Sequence, residues 1–146
     1  MTLPVPTERD EHQAVADALN ASGVLWLHVP NEQPLMGALR RVLADSIGSA
    51  RGNELAAKIG AVVGAMLNRM GRKKGFPDFI VFDPPPRYSG APGVVIELKR
   101  RDGKRSDVSK EQAAWLDVLK DRRWIGAVAY GADDALDLLA KCGYLK

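Results

Sequence analysis

The segment Val94-Val-Ile-Glu-Leu-Lys-Arg100 constrains this chain more than any other. Side chains along an extended strand alternate between faces, so Val94, Ile96 and Leu98 share one face and Val95, Glu97 and Lys99 the other. A wholly apolar face must be buried against a core. The opposite face then carries a carboxylate and an ammonium about 7 Å apart along the strand. Alone, a Glu-x-Lys of this kind describes an exposed ion pair on a half-solvated sheet. Asp78 changes that reading. It follows Gly75-Phe76-Pro77 and opens a second apolar strand, Asp78 to Phe82, while Asp83 to Gly93 carries four prolines and is a loop. Two strands joined in this way are expected to be antiparallel neighbours, which brings Asp78 close to Glu97. Carboxylates sharing a site repel unless a cation lies between them, and hard oxygen ligands suit Mg²⁺ or Mn²⁺. Lys99 alongside can orient or activate a water, or stabilise charge developing on a phosphate. The set suits metal-assisted phosphodiester hydrolysis.

The remaining segments predict the frame around these strands. Thr7 caps a first helix with Glu8, Asp10 and Glu11 in its first turn; Ala14, Val15, Ala18 and Leu19 are its apolar stripe, and Asn20 to Gly23 ends it. Val24 to Val29 reads as a strand stopped by Pro30. Leu35 to Ile47 reads as a helix, and Asn53 is expected to cap another reaching about Met70. That helix is rich in small residues, which allow close packing; its Gly60-x-x-x-Gly64 is compatible with a dimer contact or with packing inside one subunit. Ser109 to about Arg122 is a helix, with Ser109 and Gln112 spaced as a capping box. Trp124 to Tyr130 is a further strand and Asp133 to Cys142 a closing helix. The order is helix, strand, helical insertion at about 32–66, two strands, helix, strand, helix. It implies an α/β fold, a mixed central sheet flanked by helices. The 146 residues suit one domain, 1–146.

Composition narrows the classes. With 46% hydrophobic and 27% charged residues, the chain is globular rather than disordered. The single Cys142 excludes an internal disulfide, and the early run Thr-Glu-Arg-Asp-Glu-His does not form a signal peptide, so a cytoplasmic setting is expected. The longest apolar run, Ile59 to Leu67, is nine residues, too short for a bilayer core of about 30 Å, so no membrane partner is expected. The net charge of +3 is uneven: residues 69–110 hold eleven basic and five acidic side chains. Such an excess can mark a phosphate-binding surface. By itself it describes a solvated loop region equally well.

Two further polar groups lie near the ends of buried stripes, Glu11 on the first helix and Gln112 on the helix after Glu-x-Lys. Both need partners if buried. The capping box satisfies Gln112 locally, and a helix N-terminus favours Glu11 where it stands. Glu8, one turn earlier, competes with Glu11 for any role at the site.

Glu-His-Gln (11–13), His-Val-Pro-Asn (28–31), Met-Gly-Arg-Lys-Lys-Gly-Phe-Pro-Asp (70–78), Val-Ile-Glu-Leu-Lys (95–99) and Ser-Lys-Glu-Gln (109–112) occur in an order that resembles the VRR-NUC domain. This is the virus-type replication-repair nuclease branch of the PD-(D/E)xK superfamily. The resemblance covers roughly 8–145, interrupted by a helical stretch longer than the family's usual connection. It implies a restriction-endonuclease-like core and a Mg²⁺- or Mn²⁺-dependent endonuclease. Asp78 and Glu97 match the metal-binding carboxylates, with the Leu98 backbone carbonyl as a further ligand. Lys99 matches the catalytic lysine, Glu11 the acidic residue of the first helix, and Gln112 the glutamine of the later helix. His28 and Asn31 fall in a segment whose role is equally well read as a turn at Pro30-Asn31, and Ser109 heads the last motif. Arg72, Lys73 and Lys74 precede the carboxylate, and Arg100, Arg101, Lys104 and Arg105 follow the lysine, so both groups flank the site and can bind backbone phosphates. Stand-alone members resemble homodimeric junction-cleaving nucleases of phages, which makes symmetric cutting of branched DNA, as at a Holliday junction, the leading expectation. The alternatives are a monomeric flap or nicked-duplex nuclease and a catalytically inert DNA-binding module.

Overall fold

The computed structural model describes residues 4–29 and 33–146. The chain falls into two compact units, Met1–Val29 with Lys74–Lys146, and Pro30–Lys73.

The first unit is built on a four-stranded sheet in the order β1-β2-β3-β4, with β1 at Trp26–His28, β2 at Phe79–Val81, β3 at Val94–Lys99 and β4 at Ile125–Tyr130. β1, β2 and β3 pair antiparallel, and β4 joins β3 in parallel. The expected adjacency of β2 and β3 is therefore found, with Phe79 opposite Ile96 and Ile80 opposite Val95. One residue beyond this ladder, the same register sets Asp78 opposite Glu97. Both strands are shorter than the sequence suggests, because Asp78 and Arg100 leave the ladder at the end where polar side chains gather.

Alternation along the strands separates two cores. Val94, Ile96 and Leu98 meet Phe79 and Val81 on one face, under α1 (Glu8–Ser22) and α5 (Ala132–Cys142), where Val15, Leu19, Ala135 and Leu139 are fully buried. Ile80 and Val95 face the other way and meet Leu116 of α4 (Lys110–Asp121). The second face is thus covered as well, and Glu97 is not the half-solvated residue that a lone Glu-x-Lys suggests. Burying each large apolar side chain here contributes about 1.5–3 kcal/mol.

The helix ends follow local chemistry. Thr7 and Asp10 form a reciprocal capping box at α1, and Ser109 and Gln112 form one at α4. Gly23 and Gly143 close α1 and α5 in the left-handed conformation that favours glycine. Along α1 the buried positions are Glu11, Val15 and Leu19. Ala14 is exposed and His12 half-buried, so the inward face is rotated towards His12 relative to the expected stripe.

The second unit is a helical hairpin, α2 (Gln33–Ile47) and α3 (Ser49–Arg69). Asn53 does not cap α3: the helix starts four residues earlier behind Gly48, whose positive φ of 89° makes the turn. Gly52 sits in the first turn of α3, where the two helices are closest. A Cβ there would sit 2.5 Å from the Ala44 backbone nitrogen, so only glycine lets the two helices approach as they leave the turn. Gly60 lies against the Met36 side chain of α2, and Gly64 is buried.

Gly93, just before β3, is the glycine on which the sheet most depends. A Cβ at this position would lie 2.2 Å from the Val81 carbonyl oxygen and 2.6 Å from the Trp124 ring. Gly93→Ala is expected to cost about 1–3 kcal/mol through overpacking, lowering the thermal midpoint by roughly 2–4 °C per kcal/mol. A melting curve superimposable on that of the parent chain would contradict this account of the β2–β3 junction.

Candidate active site

The site lies where β2 and β3 end, and Asp78 is its centre. Asp78 is 5% exposed, and its Oδ2 accepts the Leu98 backbone N–H at 2.8 Å. Within an extended strand the N–H and C=O of one residue point to the same side. Since Leu98 offers its N–H towards Asp78, its carbonyl lies on that side too, whereas the Lys99 carbonyl faces β4 and accepts the Gly131 N–H at 2.8 Å.

Glu97 projects from β3 on the α4 side and is 2% exposed. Its Oε1 accepts hydrogen bonds from Gln112 Nε2 and from Lys99 Nζ, the latter at 2.9 Å. Its Oε2 is buried and has no hydrogen-bond partner among the described residues. Burial, followed by repulsion from Asp78, pushes the Glu97 carboxyl up to about 7, and the Lys99 ammonium only partly offsets this. Lys99 Nζ also donates to Gln112 Oε1 at 3.1 Å. Gln112 therefore serves two functions. Its Oε1 accepts the Ser109 N–H at 2.8 Å and closes the helix cap, while its Nε2 reaches Glu97. The capping box and the contact with the site coexist because an amide offers both an acceptor and donors.

Glu11 is buried in a different bond network. Its carboxylate accepts from Arg101 Nε at 2.7 Å and from the Ala132 N–H at 2.7 Å, at the start of α5. The Arg101 hydrogen bond, opposed by burial and reinforced by Ala132, holds its carboxyl below the ordinary range. The first-helix groups whose charge reaches Glu97 and Asp78 are Glu8 and His12: Glu8 raises both the His12 and the Glu97 values. His12 Nε2 lies 3.7 Å from Asp78 Oδ2. Burial lowers the His12 imidazole, but the surrounding Asp78, Glu8 and Glu97 carboxylates outweigh it and the net shift is upward. His12 was not singled out from the sequence. Its signal was the i, i+4 spacing from Glu8 on a stripe continuing to Val15 and Leu19, obscured by placing Ala14 on the inner face.

The other expected residues fall as follows. His28, on β1, stacks on Phe79 with ring centroids 5.1 Å apart, and burial lowers its imidazole. Asn31 lies outside the described residues. Ser109 accepts the Gln112 backbone N–H. Among the basic residues, Lys74 pairs with Glu111 at 3.4 Å and Arg100 with Asp102 at 2.9 Å, both at exposed positions. Lys104 and Arg105 are exposed, and Arg101 is occupied by Glu11 and by Asp133 at 3.5 Å. Arg72 and Lys73 belong to the helical hairpin unit, where Arg72 donates to Asn68.

The structure thus holds a candidate metal site. Two buried carboxylates, one with an oxygen unpartnered among the described residues, lie close enough to repel beside a strand carbonyl, and the set fits a divalent cation better than it fits apolar surroundings. Together with the mixed sheet flanked by helices, this defines the class: an α/β nuclease core of restriction-endonuclease-like type. The VRR-NUC domain model matches residues 7–133, and the chain belongs to that nuclease family. A solved structure described as a VRR_NUC domain protein has the same fold, with a TM-score of 0.61 at 19% identity, covering 98% of this chain and 93% of that one. No curated protein matches the sequence.

The raised Glu97 value has a consequence for stability. A carboxyl held above its unfolded value of 4.5 favours the fold below that pH, and this contribution is lost as pH rises through about 7. Each pKa unit corresponds to about 1.4 kcal/mol. In cation-free buffer at pH 8, Glu97→Gln is therefore expected to stabilise the chain by about 1–3 kcal/mol. Added Mn²⁺ should raise the melting point of the parent chain and leave the variant nearly unmoved. A variant that melts lower than the parent would contradict the repulsion between Asp78 and Glu97.

Proposed function

We propose that the chain is a Mg²⁺- or Mn²⁺-dependent, structure-selective DNA endonuclease that hydrolyses phosphodiester bonds in branched DNA, as at a Holliday junction. The observation that carries this reading is the buried Asp78–Glu97 pair with Lys99 bonded to Glu97. Asp78, the Glu97 oxygen that lacks a partner and the Leu98 carbonyl would hold the ion. Once bound, the ion supplies positive charge to the scissile phosphate and lowers the pKa of a bound water.

The chain's own groups do the remaining work. Lys99, fixed by Glu97 and Gln112, offers an ammonium where charge develops on the phosphate. Gln112 orients both Glu97 and Lys99, and Ser109 locks Gln112 through the helix cap. Glu11 acts at one remove, tying Arg101 to the start of α5, while Glu8 is the first-helix carboxylate whose field reaches Glu97. Lys74, Arg100, Lys104 and Arg105 are exposed cations on the same unit as the carboxylates and suit backbone phosphates without reading sequence. Arg72 and Lys73, on the helical hairpin unit, are further basic residues suited to backbone phosphates. The full chain works as one nuclease domain, as a homodimer whose two sites cut opposite strands, in phage or prophage DNA repair and recombination. Among the described residues no helix is long and apolar enough to cross a membrane.

Four-way junction, flap, fork and linear duplex substrates, each with Mg²⁺ and with Mn²⁺, test this. The junction is expected to be cut fastest, in symmetric pairs. Lys99→Ala and Glu97→Ala should each lower the rate at least 10³-fold (about 4 kcal/mol or more) while leaving junction affinity within a few-fold. Full activity in either variant would overturn the assignment of the site. Failure to cut any branched substrate would leave the inert DNA-binding alternative standing.

A further inference from the structure

The nuclease reading uses the α4 side of Asp78 and leaves its α1 side unexplained. On that side two imidazoles converge. His12 comes from α1 and His28 from β1; their rings meet edge-on with centroids 5.4 Å apart, and both rest on Phe79. One ligand atom each of His12, His28 and Asp78 lies within 4.8 Å of the others. His12 Nε2 is buried and has no hydrogen-bond partner among the described residues, at 3.7 Å from Asp78 Oδ2. That separation is too long for a hydrogen bond. It suits two donors on one ion: with each bond near 2.1 Å, donors on a shared cation lie up to about 4.2 Å apart.

We propose that His12, His28 and Asp78 form a second cation site, specific for a borderline transition ion such as Zn²⁺, Fe²⁺ or Co²⁺, on the opposite side of Asp78 from Glu97. The donor set decides the class. Mg²⁺ demands oxygen ligands in near-octahedral array and keeps its waters, whereas imidazole nitrogen suits the later first-row ions. Phe79 supplies the apolar floor that fixes both rings. The packing predates any ion, since α1 and β1 are positioned by Val15, Leu19 and the sheet. Because Asp78 is shared, the site extends the nuclease reading, but its occupancy is measured without DNA.

The chain contains only two histidines. Any imidazole bound to a paramagnetic ion in the tag-free protein is therefore His12 or His28. Titration of the metal-free chain with Co²⁺ is expected to give visible d–d absorption that saturates at a stoichiometric equivalent. Proton NMR should then show two exchangeable, strongly shifted imidazole N–H signals. His28→Gln and His12→Gln should each remove one signal and weaken Co²⁺ binding at least tenfold, with circular dichroism and melting reporting that the fold is kept. Co²⁺ binding with fewer than two shifted imidazole signals in the parent chain would overturn the proposal, as would unchanged affinity in both variants. If both signals appear and no DNA is cut with any cation, the nuclease reading fails and the second site stands. If DNA is cut with Mg²⁺ and no imidazole signal appears, the reverse holds.

Discussion

Two carboxylates buried at one end of a sheet are the constraint on which the rest of this structure depends. Asp78 and Glu97 cannot both be ionised there without a cost, and the fold surrounds them with the groups that offset it. The Leu98 N–H and nearby imidazole serve Asp78, and the Lys99 ammonium and Gln112 amide serve Glu97. One Glu97 oxygen is still left without a partner. A residue set chosen for stability alone would replace this pair with apolar side chains, as buried ion pairs rarely repay their desolvation. Its presence in a chain of a nuclease family suits the proposed chemistry, which needs concentrated negative charge beside a cation.

The sheet makes this possible through register. Phe79 opposite Ile96 fixes which residue of β2 faces Glu97, and a one-residue slip would turn Glu97 and Lys99 into the apolar core under α1 and α5. α4 then covers the second face, and its cap delivers Gln112 to the site. The end of a helix and the end of a strand are thereby held together by one amide. Lost capping and lost alignment would be felt together in a Gln112 variant, which separates this residue from surface polar groups of similar exposure.

Much of this was legible in the sequence, for identifiable reasons. Period-two alternation in 94–99 and the proline-rich loop before it defined β2, β3 and their pairing, and capping chemistry located α1 and α4. The four central residues, Asp78, Glu97, Lys99 and Gln112, followed from strand faces and from the family's motif order. What escaped depends on angles that one-dimensional spacing does not set. The rotation of α1 by a fraction of a turn exchanges Ala14 for His12 on the inner face. Similarly, Glu11 finds Arg101 and the α5 N-terminus, contacts ninety or more residues away in sequence. Asn53 has the side chain of a capping residue, but α3 begins behind Gly48, where the positive φ of the turn decides the end and no side chain caps it.

A divalent cation held between Asp78 and Glu97 is what the proposed chemistry requires. Crystals grown with Mn²⁺ and measured near its absorption edge test it most directly. The account predicts an anomalous peak within ligand distance, about 2.0–2.4 Å, of an Asp78 oxygen and of Glu97 Oε2. Crystals grown in saturating Mn²⁺ that show no peak there, or Mn²⁺ bound only to other residues, would contradict it.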